Sequence, residues 1–139
     1  MRAPPNPAFA APGRRGILIV DDDPDDLLAL EATLSPLREE IVRARDGVEV
    51  LGLLLQRSFA VVIMDLLMPR LNGFETGTLI RQRECSRDLP IILLTGFDVD
   101  GLGVLPGYSP DFELMSKPVS PEVLRARVLA CLARRADAD

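Results

Sequence analysis

Three apolar runs in this chain each stop on a residue suited to phosphate or metal chemistry. Ile17 to Val20 leads into Asp21 and Asp22, Val61 to Met64 into Asp65, and Ile91 to Leu94 into Thr95, while a fourth, weaker run ends at Lys117. A carboxylate such as Asp65 can attack a phosphorus centre and form an acyl phosphate. That attack needs help with charge, which a hard divalent cation supplies. Mg2+ takes one or two carboxylates, a carbonyl and several waters, and Asp21 and Asp22 fit that role. Thr95 can donate its hydroxyl to a phosphoryl oxygen, and Gly96 leaves room for a close approach to the backbone N–H. Lys117 can neutralise such an oxygen as a point charge. Without metal, clustered carboxylates should repel and resist full ionisation.

Each residue also has a plainer reading. Thr favours strands whatever its chemistry, and a lone Lys is most often a solvated surface group. The run Asp21 to Asp26 could serve only to cap and charge the start of a helix. That explanation is preferred for Asp23, Asp25 and Asp26. It explains less for Asp21 and Asp22, which sit at the strand exit before the cap.

The elements that must position these groups alternate as βαβ units do. Strands are expected at about Gly16 to Asp21, Ile41 to Ala44, Val61 to Asp65, Ile91 to Thr95 and Asp111 to Ser116. Helices are expected at about Pro24 to Leu37, Val48 to Gln56, Phe74 to Arg83 and Pro121 to Arg134. Asp23 before Pro24 resembles an N-cap before an N1 proline. Gly101, Gly103, Pro106 and Gly107 make any helix between Asp98 and Pro110 short or irregular. Continuous apolar strands point to a parallel sheet covered on both faces, whose ligands sit outside the carboxyl ends of the strands. Asp21, Asp22, Asp65, Thr95 and Lys117 would then meet at one edge.

With 139 residues the chain is expected to form one domain, and 47% hydrophobic with 27% charged residues argues against disorder. Residues 1–15, with Pro4, Pro5, Pro7 and Pro12, read as a flexible leader, 16–135 as the domain and 136–139 as a tail. The net charge of −5 disfavours direct binding to nucleic acid or anionic membranes. Cys85 and Cys131 read as free thiols of a reducing compartment, zinc is unsupported without His, and no apolar run approaches a membrane span. A cytoplasmic location follows as the default. Arg125, Arg127, Arg134 and Arg135 give the last helix a basic side, most simply a solvated face.

Val20-Asp21-Asp22, Met64-Asp65-Leu66-Leu67-Met68-Pro69 with Asn72-Gly73, Thr95-Gly96 and Lys117-Pro118 together resemble, in order and spacing, the receiver domain of bacterial two-component response regulators. The resemblance covers about Gly16 to Arg135. It implies a CheY-like, flavodoxin-like α/β fold, a doubly wound five-stranded parallel sheet of order 2-1-3-4-5 with helices on both faces. It also implies that Asp65 takes a phosphoryl group from a histidine kinase or phosphotransfer protein. Mg2+ would be held by Asp22, Asp65 and the Leu67 carbonyl, with Asp21 acting mainly through water. Thr95 and Lys117 would hold the phosphoryl oxygens, and Lys117-Pro118 resembles the family's cis peptide bond. Family members move the Thr and an aromatic three residues before the Lys. Leu114 stands at that place here, with Phe112 or Tyr108 as candidate substitutes.

The expected role is therefore a phosphoacceptor signalling domain rather than a turnover enzyme, with self-catalysed phosphotransfer and hydrolysis only. No output domain follows residue 139, so output is expected through a downstream protein partner, a homodimer or a parent protein. One rival is a receiver-like binding module that works without phosphorylation. Another is a haloacid-dehalogenase-like phosphatase with Asp21 as nucleophile, which would leave the Asp65 motif unexplained.

Overall fold

The computed structural model describes residues 16–96 and 99–138. The leader assigned to residues 1–15, and Asp98, lie outside them. In chain order the elements are β1 (Gly16–Val20), α1 (Pro24–Leu34), a 3-10 turn (Ser35–Leu37), β2 (Ile41–Ala44) and α2 (Gly47–Leu54). There follow β3 (Phe59–Asp65), α3 (Gly73–Gln82), a second 3-10 turn (Glu84–Ser86) and β4 (Ile91–Thr95). The last are a 3-10 segment (Val99–Val104), β5 (Glu113–Ser116) and α4 (Pro121–Ala138). The strands form one sheet of order β2-β1-β3-β4-β5 with every pair parallel, as expected.

Period-two alternation divides the strand residues between two cores. Ile17, Ile19, Val61, Ile63, Ile92 and Leu94 face α1 and α4. Leu18, Val20, Val62, Met64 and Leu93 face α2, α3 and the 3-10 segment. Because both faces are covered, β1, β3 and β4 need apolar residues at nearly every position, which is why they read as unbroken runs.

The ends of elements depart from the sequence expectation for local reasons. The α-helical part of α1 stops at Leu34 rather than Leu37, because Pro36 lacks the amide that would continue the ladder. Ser35–Leu37 instead tighten into a 3-10 turn closed by Arg38 at a left-handed φ of 58°. β3 starts at Phe59, whose buried ring belongs to the core on the α2 side. β5 starts only at Glu113. α4 continues to Ala138, through residues assigned to a tail. Nor is the basic side of α4 simply solvated. Arg125 donates to the carbonyl of Thr33 at 3.1 Å, and Arg127 grips Glu113 through two bonds of 2.5 and 2.7 Å.

Between β4 and β5 the glycines leave a six-residue 3-10 segment in place of an α-helix. The chain that follows is fastened to α3. Asn72, the N-cap of α3, shares a capping box with Glu75 and donates from Nδ2 to the Pro106 carbonyl at 2.9 Å. Gly107, at φ 77°, lies so close to Glu75 that a Cβ would meet its side chain at 3.0 Å. Tyr108 sets its ring edge-on to Phe74 at 5.3 Å, and Phe112 lies 6.1 Å from Phe74. Gly77 makes the second contact possible, since a Cβ there would come within 2.7 Å of the Phe112 ring.

Asn72 therefore has two separable jobs. Asn72→Ala should cost about 1–2 kcal/mol through loss of the cap. Asn72→Asp keeps a good capping oxygen but cannot donate to Pro106. It should melt within a few degrees of the wild type while amide exchange across residues 102–112 speeds up. Equal exchange in wild type and Asn72→Asp would show that the bond to Pro106 does not hold the segment.

Candidate functional site

The register of the sheet assembles the site. Val20 pairs with Met64, Asp65 with Leu94, and Thr95 with Ser116, so the residues that end β1, β3, β4 and β5 arrive at one edge. Asp21, Asp22, Asp65, Thr95 and Lys117 are brought together there, as the sequence predicts. Asp21, Asp22 and Asp65 each offer a carboxylate oxygen, all within 4.8 Å of one another. Lys117 Nζ donates to Asp65 Oδ1 at 2.9 Å and stands 3.8 Å from Asp21 Oδ2. Its backbone N–H donates to the Thr95 carbonyl at 2.8 Å, which ties the base of Lys117 to the end of β4. The bond that follows, Lys117-Pro118, is cis.

The acids differ in setting. Asp21 is 2% exposed and accepts the backbone N–H of Asp23 at 3.0 Å. Burial pushes its pKa up to about 6, with the Asp23 amide opposing the rise, Asp65 and Asp26 adding to it and Lys117 opposing it. Asp65 retains 14% side-chain exposure. Its carboxyl is also raised above the usual range, by burial first and then by Asp22 and Asp26, against the hydrogen bond and charge of Lys117. Burial would lower the Lys117 ammonium, but the bond to Asp65 and the charges of Asp65, Asp21 and Asp26 outweigh it and hold the pKa up. Asp22 is exposed at the mouth.

The surrounding backbone keeps the approach open. Leu66 N–H donates to the Leu94 carbonyl at 2.8 Å, and Gly73 N–H to the Leu66 carbonyl at 2.7 Å, so the loop after Asp65 is anchored at both ends. Leu67 between those anchors is exposed. A Cβ on Gly96 would meet nothing within 4 Å, which leaves free space beside buried Thr95. On the other side a cleft of about 250 Å3 runs from Asp21, Asp26 and Lys117 down to Leu30, Leu94 and Leu124.

Asp23 caps α1 as expected, accepting the N–H of Asp25 at 2.9 Å. Asp26 does more than charge the helix, because its Oδ2 lies 3.8 Å from Lys117 Nζ. The sequence reading missed this. No clear sequence signal marks it, because a first-turn acid that only charges the helix looks the same.

A cluster of hard oxygen donors beside a surface opening suits Mg2+, which keeps several of its waters and takes few protein ligands. The donor set thus fits that ion, and carries none of the His or thiolate ligands that zinc takes in structural sites.

The family described as response regulator receiver domain matches residues 17–129. Two curated relatives are the probable transcriptional regulator ycf27 of Guillardia theta and the protein PilH of Pseudomonas aeruginosa. The first is 39% identical over 120 residues, covering 85% of this chain and 45% of the relative. The second is 35% identical over 118 residues, covering 84% of this chain and 97% of PilH. This chain thus spans about half the length of ycf27 and nearly all of PilH. Among solved structures, the signal receiver domain of a signal transduction histidine kinase from Syntrophus aciditrophicus superposes with a TM-score of 0.76 at 26% identity, covering 86% of this chain and 91% of that one. With the acid cluster, the strand order and the family match in agreement, this chain belongs to the receiver domain family of two-component response regulators.

Proposed function

We propose that Asp65 accepts a phosphoryl group from a phosphohistidine of a sensor histidine kinase or phosphotransfer protein, and that the domain then acts on a downstream protein partner. The observation that carries this is the contact of Asp65 with Lys117 at 2.9 Å inside a cluster of carboxylates open to solvent. In the transfer a carboxylate oxygen of Asp65 bonds to phosphorus. The P–N bond to the donor imidazole breaks, and its electron pair leaves with the nitrogen. Lys117 offsets charge on a phosphoryl oxygen, and Thr95, at the next strand end, donates its hydroxyl to another. Gly96 leaves the approach unobstructed.

Asp21, Asp22, Asp65 and the Leu67 carbonyl would hold Mg2+, which when bound offsets the charge of the acids and of the phosphoryl oxygens. The deep burial of Asp21 favours Asp65 over Asp21 as the acceptor, against a phosphatase with Asp21 as nucleophile. The chemistry is stoichiometric acceptance and self-catalysed release rather than turnover of a substrate. Among the described residues no helix is long and apolar enough to cross a membrane.

Incubation with Mg2+ and acetyl phosphate, followed by peptide mass mapping, should place one base-labile, hydroxylamine-sensitive phosphoryl group on Asp65. EDTA should abolish labelling, and Asp65→Asn should reduce it at least tenfold. Labelling of Asp65→Asn equal to wild type would sink the assignment.

The buried acids give a pH signature with a definite sign. With a folded pKa of about 6 against an ordinary 3.8, Asp21 keeps a proton in the folded protein that the unfolded chain has already released between those values. Stability of the metal-free protein therefore falls as pH rises through that window, and the penalty is complete by about pH 7. Asp21→Asn, which keeps an oxygen for the Asp23 amide, should raise thermal stability in EDTA near pH 7.5 by on the order of 1–3 kcal/mol. The gain should vanish near pH 4. Mg2+ should stabilise the wild type more near pH 7.5 than near pH 5, and should stabilise Asp21→Asn less than the wild type. Calorimetry over these conditions checks each sign.

A further inference from the structure

We infer that Asp26 is a positioning residue for this chemistry: through Lys117 it sets both how tightly the site holds a divalent cation and how readily Asp65 takes on a phosphoryl group. The inference rests on Asp65 as acceptor and goes beyond it. Lys117 Nζ stands between two elements, 2.9 Å from Asp65 Oδ1 on β3 and 3.8 Å from Asp26 Oδ2 on the first turn of α1. Asp21 Oδ2 is the third oxygen around it, also at 3.8 Å. Asp26 and Lys117 face each other across the mouth of the cleft between α1 and the loop after β5.

Asp26 differs from the other acids in two ways. It lies outside the group of three whose oxygens fall within 4.8 Å of one another, so a cation seated there is held by Asp21, Asp22 and Asp65 and feels Asp26 only through its field and through Lys117. Its side chain is 50% exposed, so it keeps much of its water while standing beside the ammonium. Lys117 is thus shared between a carboxylate that becomes phosphorylated and one that does not.

Two effects of opposite sign follow. A negative charge at Asp26 attracts a divalent cation to the neighbouring acids. The same charge opposes conversion of Asp65 from a monoanion into a more highly charged acyl phosphate, and it draws Lys117 away from the phosphoryl oxygens. Removing the charge should therefore weaken cation binding yet favour phosphorylation once the cation is saturating. A unit charge acting over several ångströms at the protein surface corresponds to roughly three- to tenfold in each constant. Distortion of the site would instead weaken both.

The test compares wild type, Asp26→Asn and Asp26→Glu as full chains. Mg2+ affinity is measured by calorimetric titration, and the rate of Asp65 labelling by acetyl phosphate is measured at saturating Mg2+. Asp26→Asn should bind Mg2+ roughly three- to tenfold more weakly and label several-fold faster, Asp26→Glu should return both toward wild type, and both differences should shrink in high salt. Unchanged constants in Asp26→Asn, or a loss in both, would overturn the role of Asp26. Failure of the wild type to label on Asp65 would instead overturn the acceptor assignment, and the Mg2+ titration would still decide whether Asp26 acts on the cation site.

Discussion

Three carboxylates converge on one ammonium at the carboxyl edge of the sheet, and the character of the site follows from what that convergence costs. Asp65 at 2.9 Å and Asp21 and Asp26 at 3.8 Å surround Lys117, while Asp22 stands at the mouth. One positive charge cannot balance them. Burial raises the cost for Asp21 and Asp65, because a carboxylate that sheds water needs another partner. Both acids are accordingly pushed toward protonation in the metal-free protein. A site so arranged stores unfavourable charge that a divalent cation relieves. The same imbalance that destabilises the metal-free fold would supply affinity for the Mg2+ proposed above.

The sheet makes this convergence rigid. β1 and β5 end one residue before a functional group, β3 and β4 end on one, and the parallel register sets those ends side by side. Beneath the edge, β1, β3 and β4 are buried on both faces, so no strand can slide by a residue without turning apolar side chains out of their core. Placing like charges together requires such a scaffold, because on a mobile loop they would simply move apart.

Much of this was legible in the sequence, and what was not has identifiable causes. Strands buried on both faces give continuous runs, so β1, β3 and β4 and the groups at their ends could be read directly. The order β2-β1-β3-β4-β5 came through resemblance, since pattern alone does not order strands. Asp26 escaped because an acid in the first turn of a helix serves the dipole whether or not it reaches across to another element. The bonds of Arg125 to Thr33 and Arg127 to Glu113 escaped for a related reason. A basic stripe looks the same from sequence whether solvated or engaged.

The position of Leu114 left two aromatic rings, Phe112 and Tyr108, as candidates for a group that moves, and packing separates them. Leu114 and Phe112 both pack into the core on the α3 side, although β5 itself begins only at Glu113. Phe112 is 8% exposed, held between Phe74 and Gly77 with the Arg81 guanidinium 5.5 Å from its ring centre. Turning it outward would forfeit burial worth roughly 2–3 kcal/mol and open a void beside Gly77. Tyr108 is 42% exposed and touches Phe74 by an edge, so it can leave at far smaller cost. The backbone carrying Tyr108 is held by Asn72, and Gly73 next to Asn72 bonds to Leu66, the residue after Asp65. The start of α3 thus connects the loop after Asp65 to the chain that follows the 3-10 segment between β4 and β5. The path from that loop to Tyr108 runs along covalent bonds and two hydrogen bonds, without passing through Leu114.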